Sequence, residues 1–150
     1  MGAKQISVFL QNTAGRLSEV TQTLAKSGIN LRAISIADTA DFGILRLIVD
    51  KTDEAVTALN KAGFTTGLTD VAAVRIDDEP GSLAKLIELF QKSEVNIEYL
   101  YASLAGICLP EASGAAESNK GKAIIIFKPK DPEKGFKLLK DNGFVMAEKF

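Results

Sequence analysis

Apolar residues change period along the chain in a way that marks successive elements. Gln5 to Leu10 and Val71 to Ile76 are short, mostly apolar runs of the kind that form buried strands. Each run leads into a turn that contains glycine. Beyond the turns, Leu17, Val20 and Leu24, and again Leu83, Leu86, Ile87 and Phe90, recur at helical spacing. Thr13 is placed to cap the first of these helices, and Pro80 suits the first turn of the second, where a missing N–H costs nothing. Gly28 marks the end of the first helix. The pattern then predicts strands over 29–37 and 95–104 and Ile-rich third strands over 44–49 and 122–127. Second helices over 53–61 and 131–140 are opened by Asp and closed by Gly63 and Gly143, and last strands follow over 64–69 and 144–150.

The two series are copies of one another. Asn12-Thr13-Ala14-Gly15-Arg16-Leu17 aligns with Asp78-Glu79-Pro80-Gly81-Ser82-Leu83 at an offset of 66, and the match continues without a gap through Ser27-Gly28-Ile29-Asn30-Leu31 and Ser93-Glu94-Val95-Asn96-Ile97. Asn60-Lys61-Ala62-Gly63-Phe64 aligns with Lys140-Asp141-Asn142-Gly143-Phe144 at an offset of 80, so the second copy carries 14 extra residues, placed near 105–121. That stretch is rich in Ala, Ser, Gly and Glu, a flexible-loop composition expected to be the most mobile part of the chain.

The resulting order, β-α-β-β-α-β twice, predicts an α+β protein of two ferredoxin-like units over 1–70 and 71–150. Right-handed crossovers put both helices of a unit on one face of an antiparallel sheet, leaving the other face for a partner or solvent. Gly67-Leu68-Thr69-Asp70 is almost no linker, so the halves are expected to dock as an internal pseudo-dimer.

Composition narrows the function. With 46% hydrophobic and 25% charged residues the chain is a folding sequence. Lys+Arg 18 against Asp+Glu 19 argues against nucleic-acid binding, and no apolar run is long enough for a membrane span. The N-terminus has no apolar signal core, and a cytoplasmic location is inferred. There is no histidine, and the single cysteine, Cys108, is read as an inert thiol. Neither a His-paired nucleophile nor a His or Cys-cluster metal site can be assembled, so no catalytic residue, metal or cofactor is expected.

Candidate chemistry gathers at the two repeated corners. Gly15 and Gly81 remove the side chain at a helix N-terminus and bare its first N–H groups, which attract a carboxylate by about 0.3–1 kcal/mol through the helix dipole. Asn12 and Asp78 stand three residues earlier, on the corner's rim, and Asn30 and Asn96 follow the helix between apolar neighbours. Each of these four is equally readable as a cap, an Asx-turn or a left-handed turn residue. Tyr99 and Tyr101 share one strand face, Arg32 lies on the same face as Asn30, and the lysines of the last third alternate with acids as a solvated surface.

Asn12-x-Ala14-Gly15-x-Leu17, Asp78-x-Pro80-Gly81-x-Leu83, Gly28-Ile29-Asn30-Leu31 and Val95-Asn96-Ile97 together resemble the ACT domain, twice over and in order. The resemblance implies a regulatory module that binds an amino acid or similar small molecule where two units pair. On that pattern Asn12, Thr13, Ala14, Gly15, Arg16 and Leu17 would face Asn96, and Asp78, Glu79, Pro80, Gly81, Ser82 and Leu83 would face Asn30. Leu10 and Ile76 stand where serine-sensing members carry histidine, which points away from serine. The first corner is neutral at Asn12 and the second anionic at Asp78 and Glu79, so the two sites are not expected to be equivalent. The expected role is a non-catalytic sensor whose partners are an amino acid and either its own oligomer or a regulated protein. The alternative is an interaction or oligomerisation module without a small ligand.

Overall fold

A computed structural model of the chain describes residues 2–38, 41–104 and 122–147. The insertion over 105–121, with Cys108 and its expected mobility, lies outside the described residues. The elements are β1 (Ala3–Gln11), α1 (Arg16–Lys26), β2 (Leu31–Asp38), β3 (Phe42–Val49), α2 (Thr52–Lys61), β4 (Thr65–Asp77), α3 (Ser82–Lys92), β5 (Ile97–Ala102), β6 (Lys122–Pro129) and α4 (Pro132–Asp141). The predicted last strand of the first copy and first strand of the second are one strand, β4. No proline or left-handed glycine interrupts the extended backbone between Thr65 and Asp77. Two compact units divide inside β4, one spanning Lys4–Thr69 and the other running from Asp70 onward with the residues before Lys4.

In the first unit β3 lies between β1 and β2, antiparallel to both, with Val8 opposite Leu45 and Ile34 opposite Leu47. Alternation sends Ile6, Val8, Leu10, Leu45, Leu47 and Val49 to one face. There they bury with Val20 and Leu24 of α1 and Ala55 and Leu59 of α2. Each large aliphatic side chain so buried stabilises by about 1.5–3 kcal/mol.

The second unit repeats the scheme with β6 between β4 and β5. Leu86 and Phe90 of α3 and Leu139 of α4 pack with Val74, Ile76, Ile125 and Phe127. Phe90 meets Phe127 edge-to-face, with centroids 5.1 Å apart. Tyr99 and Tyr101 share the opposite face, opposite Lys128 and Ile126. The fold is α+β, built as two ferredoxin-like units.

Of the strand predicted over 144–150, the described residues 144–147 show one bridge, between Met146 and Val74, with Arg75 and Ala147 N–H groups bonded to Val145 and Ala73 carbonyls. Residues 148–150 lie outside the described residues. The face turned away from the helices, expected to be left for a partner or solvent, carries buried residues. Gln5, Ala33 and Ile48 in the first unit, and Ala73 and Ile126 in the second, are buried on it.

The helix exits explain one repeat difference. Gly28, after α1, has φ 65°, and its counterpart after α3 is Glu94, at φ 53°. A side chain in this left-handed conformation costs about 1–2 kcal/mol, while glycine's extra unfolded-state freedom costs about 0.5–1. Glu94→Gly should therefore raise the unfolding free energy by up to about 1 kcal/mol, and Gly28→Ala should lower it by about 1–2 kcal/mol. Urea denaturation of the two variants checks both signs.

Candidate functional site

The corners are built by backbone conformation. Gly15 has φ 91° and Gly81 φ 90°, and each is the residue that begins its helix. Space is not the reason for glycine, because a Cβ at either position would meet nothing within 4 Å. The left-handed turn is the reason, since it lets the chain leave the strand and enter a helix packed back on the same sheet. Thr13 is consequently not the cap of α1, and Pro80 is not in the first turn of α3. Both precede the capping glycine, which has no side chain to offer.

This leaves donors unused. The Arg16 N–H reaches back to the Thr13 carbonyl at 3.4 Å, and Ser82 N–H to Glu79 at 3.2 Å. The next two N–H groups of each helix, on Leu17 and Ser18 and on Leu83 and Ala84, bond to no described residue. By contrast, α4 is capped by Asp131, whose Oδ1 accepts from Lys134 N–H at 3.0 Å.

The asparagines stand elsewhere. Neither Asn30 nor Asn96 is left-handed, so neither is the turn residue; Gly28 and Glu94 are. Backbone bonds fix both positions, with Asp50 N–H donating to the Asn30 carbonyl at 3.2 Å and Lys130 N–H to the Asn96 carbonyl at 2.8 Å. The side chains of Asn12, Asn30, Asp78 and Asn96 are exposed and make no hydrogen bond to a described residue. Within a unit the first helix separates corner from asparagine. Its 11 residues span about 16 Å at 1.5 Å rise each. The structure therefore gathers Asn12 to Leu17 at one corner and Asp78 to Leu83 at another. It does not bring either corner to the asparagine of its own unit.

A family model described as an ACT domain pair matches residues 1–134. The chain belongs to the ACT domain pair family. Protein BT0572 from Bacteroides thetaiotaomicron is similar over 98% of this chain and 92% of its own, at 37% identity and a TM-score of 0.83. The ligand-free regulatory subunit of aspartate kinase from Thermus thermophilus shares the fold at 21% identity and TM-score 0.63, over 91% of this chain and 87% of its own. The corresponding subunit from Thermus flavus does so at 20% identity and TM-score 0.58, over 92% and 90%. No curated protein matches the sequence.

The two ACT copies have diverged beside their corners. In the first, the Arg16 guanidinium lies 4.7 Å from the centroid of the Phe64 ring and pairs with Glu19 at 2.5 Å. In the second, Ser82 and Lys85 replace Arg16 and Glu19, and an open cavity of about 360 Å³ stands beside them. Its lining includes Arg75, Asp77, Ser82, Lys85, Lys122 and Phe144. Sequence reasoning passed over this recess because its residues come from four separated segments. The signal was available in the repeat, where Phe9, Glu19 and Phe42 align with Arg75, Lys85 and Lys122. No group of three or more metal-ligating side chains occurs among the described residues, nor does a helix long and apolar enough to cross a membrane.

Asp77 reports the charge in the cavity. A hydrogen bond from Lys122, and then the charge of Lys122, hold its carboxyl below the usual carboxylate range; desolvation opposes this weakly and Lys85 adds to it. A depressed native value means the ion pair stabilises above the unfolded carboxyl's pKa and is lost as pH falls through the native one. Carboxyl NMR titration should place Asp77 below the ordinary carboxylate range, and Lys122→Met should return it toward the ordinary value. An unchanged titration in that variant would contradict the pairing.

Proposed function

We propose that this ACT pair is a non-catalytic regulatory protein that binds an amino acid or a similar small metabolite and passes the bound state to a partner protein or to its own oligomer. A corner of one ACT unit supplies N–H groups to the ligand carboxylate. An asparagine from the loop after the first helix of another unit accepts from the ammonium, which N–H groups cannot do. The observation that carries this reading is the set of unused groups. Both helix starts lack a side-chain cap, and the side chains of Asn12, Asn30, Asp78 and Asn96 have no hydrogen-bond partner among the described residues. A structural turn would normally spend these groups on itself. The aspartate kinase subunits that share the fold are regulatory by name, which supports a regulatory role here.

Asp78 and Glu79 make the second corner acidic and suited to an ammonium, whereas Asn12 is neutral. The two corners thus favour different parts of a zwitterion. A thermal-shift screen of the twenty amino acids tests the proposal. A ligand at about 100 times its Kd adds about 2.7 kcal/mol, which for a chain of this size raises Tm by roughly 5–10 °C. Asn96→Ala should weaken that binding by about 1–3 kcal/mol while leaving the Tm of the free protein nearly unchanged. If no amino acid shifts Tm, the interaction-module reading replaces this one.

A further inference from the structure

The exit of α3 carries a side chain where the backbone favours none. Among the described residues Glu94 is the one residue other than glycine with a left-handed backbone, at φ 53°. The turn it makes is the turn Gly28 makes after α1. Glu94 N–H bonds to the Gln91 carbonyl at 3.1 Å and Val95 N–H to Phe90 at 3.0 Å, as Gly28 and Ile29 bond to Ala25 and Leu24 at 3.0 Å each. A Cβ in this conformation is strained, and glycine at the same place is not. Glu94 also follows Ser93, the C-cap of α3, where the negative end of the helix dipole disfavours a carboxylate. Two unfavourable terms thus meet at one position. The carboxylate is exposed and makes no hydrogen bond or ion pair to a described residue, so no such contact offsets them. The neighbouring cation, Lys92, pairs with Glu88 at 2.7 Å.

The surroundings of Glu94 are those of the ligand loop. It stands two residues before Asn96, and both line a cavity of about 420 Å³ against α3 and another of about 930 Å³ that reaches the start of α4. Either volume accommodates an amino acid. Asp131 and Glu133 in the larger cavity answer to the start of α4, one as its cap and the other in its first turn. The two copies differ in a compensating way. On the pairing that the proposed function takes, Asn30 and Gly28 face a corner that already holds Asp78 and Glu79. Asn96 and Glu94 face a corner that is neutral at Asn12 and Thr13. Each site then has a carboxylate to meet an ammonium, in the corner of one and in the loop of the other.

We infer that Glu94 is a ligand-binding residue of the Asn96 site, and that its carboxylate takes the ammonium of a bound amino acid together with the Asn96 side-chain carbonyl. This role rests on the proposed function and adds to it the charge that an amide lacks. A carboxylate–ammonium hydrogen bond is charge-assisted and stronger than one to an amide oxygen. The strained backbone is retained because it sets that charge beside the loop asparagine.

Titration calorimetry on the full chain tests this with each of the twenty amino acids and with the deaminated acid of each that binds, such as propionate beside alanine. Glu94→Gln should weaken amino-acid binding by about tenfold or more and change binding of the deaminated acid by no more than about twofold. Glu94→Gly should weaken amino-acid binding as much while raising the Tm of the free protein, so the lost affinity does not come from lost folding. Unchanged affinity in both Glu94 variants overturns the role; if Asn96→Ala still weakens binding, the proposed function stands without it. Weakening that is equal for an amino acid and its deaminated acid also overturns the role, since a structural defect treats the two alike. Absence of binding by every amino acid to the unaltered chain removes the proposed function and this role together.

Discussion

Two short amphipathic helices can protect only one face of a narrow sheet, and their docking there sets the position of every other feature. Val20 and Leu24 of α1, with Ala55 and Leu59 of α2, close over Ile6, Val8, Leu10, Leu45 and Leu47; Leu86, Phe90 and Leu139 do the same in the second unit. For α1 to begin directly after β1 and still lie on that face, the chain must turn sharply at the strand end. The left-handed Gly15 and Gly81 make that turn. The turn in turn denies each helix a capping side chain, because glycine has none. Free N–H groups at the corners are thus a consequence of how the core is closed.

This causal order separates the parts of a corner that are structural from those that are available for chemistry. The glycines answer to backbone geometry, as do Gly28 and, at a cost, Glu94. The side chains of Asn12, Asp78, Asn30 and Asn96 are exposed and make no hydrogen bond to a described residue, although backbone bonds hold the three asparagines in place. The rest of the recess varies freely between copies. Arg16 lies on Phe64 in one, and an open basic cavity stands in the other. Duplication supplied one scaffold twice, and the differences between the copies lie mostly where the scaffold places no demand.

Much of the fold was legible in the sequence because period-2 and helical spacing repeat in register. Leu17, Val20 and Leu24 and their counterparts at Leu83, Leu86 and Phe90 show this best. The caps were less legible. Thr13 and Pro80 have the right chemistry for a helix start, but the positive φ of the next glycines moves the start past them. Of the final strand, the described residues carry a bridge at Met146 with a backbone bond on either side of it. Of the candidate site, the corner and loop residues were visible as a repeated motif. The cavity around Arg75 was not, since Arg75, Lys85, Lys122 and Phe144 meet only through tertiary packing.

The proposed role of the uncapped helix starts is to donate hydrogen bonds to a ligand. Amide chemical shifts in the ¹⁵N-labelled protein, followed during titration with whichever amino acid stabilises it, test this most directly. The amides of Leu83 and Ala84, or of Leu17 and Ser18, should move downfield as hydrogen bonds form. Amides at the capped start of α4, Glu133 and Lys134, should stay in place. A ligand that binds and shifts other amides while leaving all four uncapped donors unmoved would rule out that role.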